Sequence, residues 1–169
     1  MHDSHQAYLS LGSNISPESN LVRAVRLLAA RGQIENLSGA WESESVGADG
    51  PNYLNACVLF ITQLDIQGVK KKILLPIEEQ LGRKRSADRF APRTMDIDIV
   101  VFDDQPIDDK YWTQAFVVVP LAEIHPTFRN PLTGETLMET AARLRRDVWM
   151  EARQEVLSQF SGTQSRRQI

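Results

Sequence analysis

The sequence predicts an α+β fold: a ferredoxin-like antiparallel sheet with helices packed on one face, built as a single-domain α/β sandwich. Three observations predict it. Apolar runs of strand length recur at Ala7 to Leu11, Tyr53 to Thr62 and Met95 to Phe102. Two stretches with helical apolar spacing, after Ser16 and after Asp65, lie between them. The resulting order, β-α-β-β-α-β followed by further elements, is that of the ferredoxin-like sandwich. The 169 residues suit one domain, with residues 1–6 and 161–169 as flexible tails.

Each element has its own warrant. Ala7 to Leu11 alternates as a short strand and runs into Gly12-Ser13-Asn14, a turn composition. Ser16 and Pro17 open a helix whose apolar face is Leu21, Val25 and Leu28, ending near Gly32. Ile34 to Ser45 reads as a weakly patterned second strand, and Val46 to Asn52 as a turn-rich loop. Tyr53 to Thr62 is apolar on both faces and therefore central, with Asn55 the odd polar residue. Asn55 reads either as a satisfied buried amide or as a reader of a planar ligand's edge.

Asp65 caps a helix from about Ile66 to Leu81, with Val69, Ile73, Ile77 and Leu81 as its buried stripe. Pro76 inside it predicts a kink. Asp103 to Pro106 is a turn, Ile107 to Gln114 is ambiguous, and Phe116 to Pro120 reads as a short apolar strand. A helical turn starts at Leu121, His125 falls in a loop, and Thr136 to Arg146 and Val148 to Phe160 read as helices.

Composition sets limits on partners. The chain is 42% hydrophobic and 24% charged, ordinary for a globular domain. A net charge of -3 argues against nucleic acid as a partner. The single cysteine, Cys57, lies in an apolar run and reads as a small buried hydrophobe. No run reaches the length of a membrane span and the N-terminus carries no apolar signal segment, so a cytoplasmic protein without membrane attachment is expected.

The chemistry concentrates between Leu81 and Phe102. Asp96 and Asp98 stand two apart on the predicted strand, so both carboxylates leave one face while Met95, Ile97 and Ile99 leave the other. Adjacent carboxylates repel unless water or a cation lies between them, and Mg2+ takes oxygen ligands of this kind. Arg83, Lys84, Arg85, Arg89 and Arg93 precede the pair and suit phosphate oxygens. Alone, an Asp-x-Asp is usually a solvated strand face, and a basic loop usually a solubilising one. Their succession is what points to phosphoryl transfer.

Together these motifs resemble the 6-hydroxymethyl-7,8-dihydropterin pyrophosphokinase family. The pieces are Gly12-Ser13-Asn14, Tyr53-Leu54-Asn55-Ala56, Glu78 with Gly82-Arg83-x-Arg85, and Pro92 to Asp98, close to the family signature. Phe116 to Pro126 also resembles the family's later segment. The resemblance implies transfer of a pyrophosphoryl group from ATP, as co-substrate, to the pterin hydroxymethyl oxygen, releasing AMP in folate biosynthesis with two Mg2+ ions. It implies Asp96 and Asp98 as metal ligands and, with Arg83 and Arg93, as the catalytic set. Glu78, Arg85, Lys110 and Ile99 would serve the nucleotide. Ser43, Val46, Tyr53 and Asn55 would line the pterin pocket, Phe116 would stack on the ring, and Phe90 would be an aromatic lid. Two loops, Ser43 to Asn52 and Lys84 to Ala91, would close over the reactants.

The chain departs from the family between Ile107 and Ala115, where the usual Pro-His pair and arginine are missing. Gln114 stands near the expected arginine and Lys110 is the segment's only cation. Glu44 stands where the family tends to have proline. Two other readings therefore stay open: a paralogue acting on another pterin, and a non-catalytic nucleotide- or partner-binding module. A monomer or weak homodimer is expected, and Val148 to Ile169 lies beyond the resemblance.

Overall fold

The computed structural model describes residues 3–45, 47, 49–84, 87, 88 and 91–165. Val46, Arg85, Arg89 and Phe90 lie outside the described residues. At the centre of the sheet is β1 (His5–Ser13), antiparallel to both β4 (Tyr53–Thr62) and β5 (Asp96–Phe102). The far side of β4 is shared by β2 (Gln33–Leu37) and β3 (Ala40–Ser43). A two-residue strand, β6 (Gln105–Pro106), extends β5, and β7 (Met150–Arg153) extends β3. The order is β6-β5-β1-β4-β3-β7, with β2 also on β4, and every pairing is antiparallel. The central position predicted for Tyr53 to Thr62 is the observed one.

The helices cover both faces, not one. Ala7, Leu9, Leu11, Val58, Ile97 and Ile99 face α1 (Pro17–Arg31) and a second helical run, in one core. Tyr8, Cys57, Leu59 and Val101 face α4 (Ala115–Ile124) and α5 (Leu137–Leu144), in another. A central strand with apolar residues on both faces needs cover on both sides, which is why β4 could not sit on a half-solvated sheet.

The second helical run is α2 (Ile66–Val69), a π-helical turn (Lys70–Leu74) and α3 (Leu75–Gln80). Asp65 caps it through its side chain, accepting from the Gly68 N–H at 2.7 Å. The predicted stripe is buried: Val69, Ile73, Ile77 and Leu81. Pro76 is absorbed by the widened turn before it, where the Leu75 N–H reaches back five residues to Lys70.

Five further expectations are corrected. Gly12 and Ser13 belong to β1, and the chain turns only after them. Ser16 occupies the N-cap position of α1 in a left-handed conformation without a side-chain capping bond. The strand read over Ile34 to Ser45 is two strands, broken where the Ser38 hydroxyl turns in to accept from the Cys57 N–H at 2.8 Å. Phe116 to Pro120 is the start of α4: burial of Val117, Val118, Val119 and Leu121 between sheet and α5 overrides the strand preference of a valine run. Val148 to Phe160 is not one helix but β7, a short α6 (Gln154–Leu157) and a 3-10 run (Ser158–Ser165).

The flexible tail expected over residues 1–6 is also shortened. His5 and Gln6 are already in β1, and Asp103 accepts from the His5 ring at 2.6 Å and from the Gln6 N–H at 2.9 Å. Cys57 is fully buried, and burial pushes its thiol far up. Among the described residues no helix is long and apolar enough to cross a membrane.

Candidate active site

Strand register builds the floor of the site. Gly12 on β1 is paired with Asn55 on β4 and with Asp96 on β5, and Ser10 with Asp98. Paired positions share a face, so these small residues of β1 lie between an amide on one side and two carboxylates on the other. The result is a cleft of about 60 Å³, with Tyr53, Tyr111, Gln114 and Phe116 on its walls. It lies on the α4 side of the sheet, where the core of that face gives way to polar groups.

The amide side is well defined. Asn55 is buried and donates from Nδ2 to the Ser43 hydroxyl at 2.8 Å and to the Trp41 carbonyl at 3.2 Å. Those bonds spend both its N–H groups and fix the Oδ1 end, which lies 3.4 Å from where a Gly12 Cβ would be. Phe116, at the start of α4, is half-buried on the same cleft. Gln114 precedes it at the N-cap without using its side chain as a cap.

The carboxylate side is a network of charges. Asp96 accepts from Arg83 Nη1 at 3.0 Å through Oδ1 and from Arg93 Nη1 at 2.7 Å through Oδ2. Arg83 also pairs with Glu78. Glu78 is buried, and its other oxygen accepts the Ile97 N–H at 3.0 Å. Burial pushes the Glu78 carboxyl up, against the pull of that amide and of Arg83. Asp98 is pushed up to about 6, first by burial and then by the charge of Asp96, with Lys110 and Arg83 opposing.

One residue fastens this side to β1. Asn14 accepts from the Arg93 N–H at 2.7 Å, donates its own N–H to the Arg93 carbonyl at 3.1 Å, and reaches the Pro51 carbonyl at 3.4 Å. The loop before β5 and the loop before β4 are thus tied to the end of β1.

The structure therefore brings together Asp96, Asp98, Arg83, Arg93, Ser43, Tyr53, Asn55 and Phe116. Two expected nucleotide residues are placed differently. Glu78 stands behind Arg83 with both oxygens engaged inside the chain, one with the guanidinium and one with the Ile97 N–H, so in the free chain it braces Arg83. Ile99 has its side chain in the α1-side core, opposite the cleft, because it alternates with Asp98. The Lys110 side chain is exposed beside Asp108 at 3.8 Å, close enough for its charge to act on Asp98. Val46, Arg85 and Phe90 are outside the described residues.

Sequence reasoning missed Ser10, Tyr111 and the wall role of Gln114. Ser10 and Gly12 carried a signal: two small residues at period two, opposite the leucines of Ala7 to Leu11. Tyr111 carried none, since it sits in a 3-10 turn (Asp109–Thr113) without periodicity.

Among the described residues no cluster of three or more His, Cys, Asp or Glu forms a metal cage. The donors on offer are the two carboxylates of Asp96 and Asp98, on one face of one strand. That set fits Mg2+, which binds through one or two carboxylates and completes its shell with phosphate oxygens and water.

Comparison with known proteins gives the family of the chain. A model of the 7,8-dihydro-6-hydroxymethylpterin-pyrophosphokinase (HPPK) family matches residues 8–126. A Methylorubrum extorquens protein named 2-amino-4-hydroxy-6-hydroxymethyldihydropteridine pyrophosphokinase is 36% identical over 151 residues, 82% of this chain and 93% of its own. Proteins of the same name from Bacillus subtilis (35% identical; 86% of this chain, 90% of theirs) and Synechocystis (34%; 80% and 74%) are similar along most of the chain. A crystal structure of Plasmodium falciparum HPPK-DHPS superposes with a TM-score of 0.63 at 13% identity, covering 83% of this chain. This chain spans 45% of that longer protein, and the likeness shows the fold.

Proposed function

The chain belongs to the HPPK family, and from that premise we propose that it transfers the terminal pyrophosphoryl group of ATP to the hydroxymethyl oxygen of 6-hydroxymethyl-7,8-dihydropterin. The products are AMP and the pterin diphosphate, in folate biosynthesis. The observation that carries this reading is the sharing of one cleft by Asn55 and Phe116 on one side and Asp96 and Asp98 on the other. A heterocycle held by the first pair points its side group at the second.

The roles follow from the positions. Phe116 and Tyr53 offer ring faces to a pterin, and Asn55 Oδ1 faces its hydrogen-bonding edge. Asp96 and Asp98 would hold Mg2+, which when bound neutralises phosphate charge and aligns the leaving and attacking oxygens. Arg83 and Arg93 supply guanidinium groups to the phosphates, Arg83 kept in place by Glu78. The hydroxymethyl group needs alignment more than a strong base, because the transition state is loose and its cost is mainly electrostatic. Lys110 adds an exposed cation whose charge acts on Asp98. The same reading has the enzyme working in the cytoplasm as a monomer or weak homodimer.

The direct test mixes the protein with ATP, Mg2+ and 6-hydroxymethyl-7,8-dihydropterin, and measures AMP and pterin diphosphate. Equal release of both is expected. Release with another pterin in preference would show a paralogue, and no release from folded protein that still binds ATP would refute the activity.

A further inference from the structure

In the free chain the carboxylate assigned to the cation is already engaged. Both oxygens of Asp96 accept from arginine, one from Arg83 at 3.0 Å and one from Arg93 at 2.7 Å. All three side chains are mostly buried, with exposures of 26%, 17% and 28% for Asp96, Arg83 and Arg93. Such charge-assisted bonds resist screening better than surface pairs. The clamp is also anchored from behind on each side. Glu78 holds Arg83 and is itself tied to the Ile97 N–H on the same strand as Asp96. Asn14 fixes the Arg93 backbone from β1.

We propose that Arg83 and Arg93 are the resident counter-cations of Asp96, and that Asp96 yields its oxygens to a divalent cation only when a polyphosphate draws the two guanidinium groups away. The clamp answers a physical question posed by the site: Glu78 and Asp96 share Arg83, Asp98 follows two residues on along β5, and the free chain neutralises this group of carboxylates with its own cations. It also makes an affinity statement. A cation alone has to displace two arginines, whereas a cation arriving with a nucleoside triphosphate finds the arginines with another anion to hold. Cation and polyphosphate therefore tighten each other's binding, by linkage. The identity of the polyphosphate rests on the pyrophosphokinase reading, but the clamp is a property of the free chain.

The test titrates Mn2+ alone into the free protein and follows the electron paramagnetic resonance signal of the unbound ion. Arg93→Met, which frees one Asp96 oxygen, should tighten Mn2+ by about tenfold. Lys110→Met removes the same charge from the same region without touching Asp96, and should shift Mn2+ affinity by no more than about twofold. Arg93→Lys keeps the charge and perturbs the fold least, and should fall between wild type and Arg93→Met. With α,β-methylene ATP present, the advantage of Arg93→Met should vanish or reverse. Unchanged Mn2+ affinity in both Arg93 variants would overturn the clamp, as would equal tightening by Lys110→Met. An inactive protein that still shows the Arg93 effect would refute the pyrophosphokinase reading and leave the clamp standing.

Discussion

Asn14 and Arg93 hold each other through two backbone-anchored hydrogen bonds, N–H to carbonyl at 3.1 Å and N–H to Oδ1 at 2.7 Å. The pair crosses from the end of β1 to the loop before β5, so it fixes where the Arg93 guanidinium starts from. Asn14→Ala removes the acceptor for the part-buried Arg93 N–H. It is expected to cost about 1 to 3 kcal/mol of stability, read by denaturant unfolding. Turnover should fall roughly tenfold or more, because misplacement of a charged group weakens the transition state, with a smaller effect on pterin KM. Asn14→Asp keeps the acceptor oxygen and should recover much of the stability. Equal losses in both variants would show that the Arg93 N–H is not what Asn14 serves.

Gly12 makes the floor of the cleft. A Cβ there would stand 3.4 Å from Asn55 Oδ1 and 3.7 Å from the Tyr53 ring, ordinary contact distances. Gly12→Ala should therefore fold normally, and in a strand interior it should leave the melting temperature unchanged or slightly raised. The methyl group takes volume from a cleft of only about 60 Å³. Pterin affinity measured by fluorescence titration should drop about tenfold, while ATP affinity stays within about twofold. A variant that binds pterin as tightly as wild type would place the ring elsewhere.

Much of this was legible in the sequence, and the reasons are specific. Asp96 and Asp98 were readable because a strand period of two makes their shared face a certainty once the strand is granted. The stripe Val69, Ile73, Ile77 and Leu81 survived Pro76 because burial of one face tolerates a widened turn. The start of α4 was not legible: a segment buried on nearly all sides has no periodicity, and its valines favour a strand. Glu78 was readable as unusual at a helix end but not as a brace, since its partners Ile97 and Arg83 come from separate segments that only the tertiary fold assembles. Asn14 was visible as part of a motif but its partner Arg93, 79 residues away, was not.

Asp98 predicts an inverse relation between stability and activity. Its folded value of about 6 lies above the ordinary carboxylate range because of burial and the neighbouring Asp96. Between about pH 4 and 6 the unfolded chain therefore releases this proton first, so unfolding is favoured as pH rises. The Asp98 contribution should be neutral below pH 4, grow more destabilising through that window, and stay so above it, on the order of 3 kcal/mol. Asp98→Asn removes the charge and should be more stable than wild type at pH 7 but not at pH 4, while turnover collapses. Thermal melts across pH 4 to 8 decide it: a wild-type-minus-variant difference that does not change with pH would mean that Asp98 is not held near 6.

The C-terminal segment lies beyond residues 8–126 matched by the family, and the structure gives it a task. Met150 on β7 is paired with Ser43 on β3, and Ser43 is the hydroxyl that accepts from Asn55. Arg153 reaches Glu42 at 3.1 Å and Glu18 at 3.4 Å, joining β7 to β3 and to α1. Val156 and Leu157 are buried in the α1-side core and Met150 in the other. Truncation after Asp147 removes those three side chains, worth on the order of 5 kcal/mol, and leaves β3 as an exposed edge. That is a large share of the stability of an ordinary domain, so the truncated chain is expected to unfold or aggregate near physiological temperature. Met150→Ala is the gentler experiment. It loosens the strand opposite Ser43 while keeping the ladder, and should cost about 2 kcal/mol. Because the Ser43 hydroxyl helps orient the Asn55 amide, pterin KM should rise several-fold with ATP KM unchanged. A rise in both, or in neither, would mean that β7 supports the fold without setting the geometry of the pterin side.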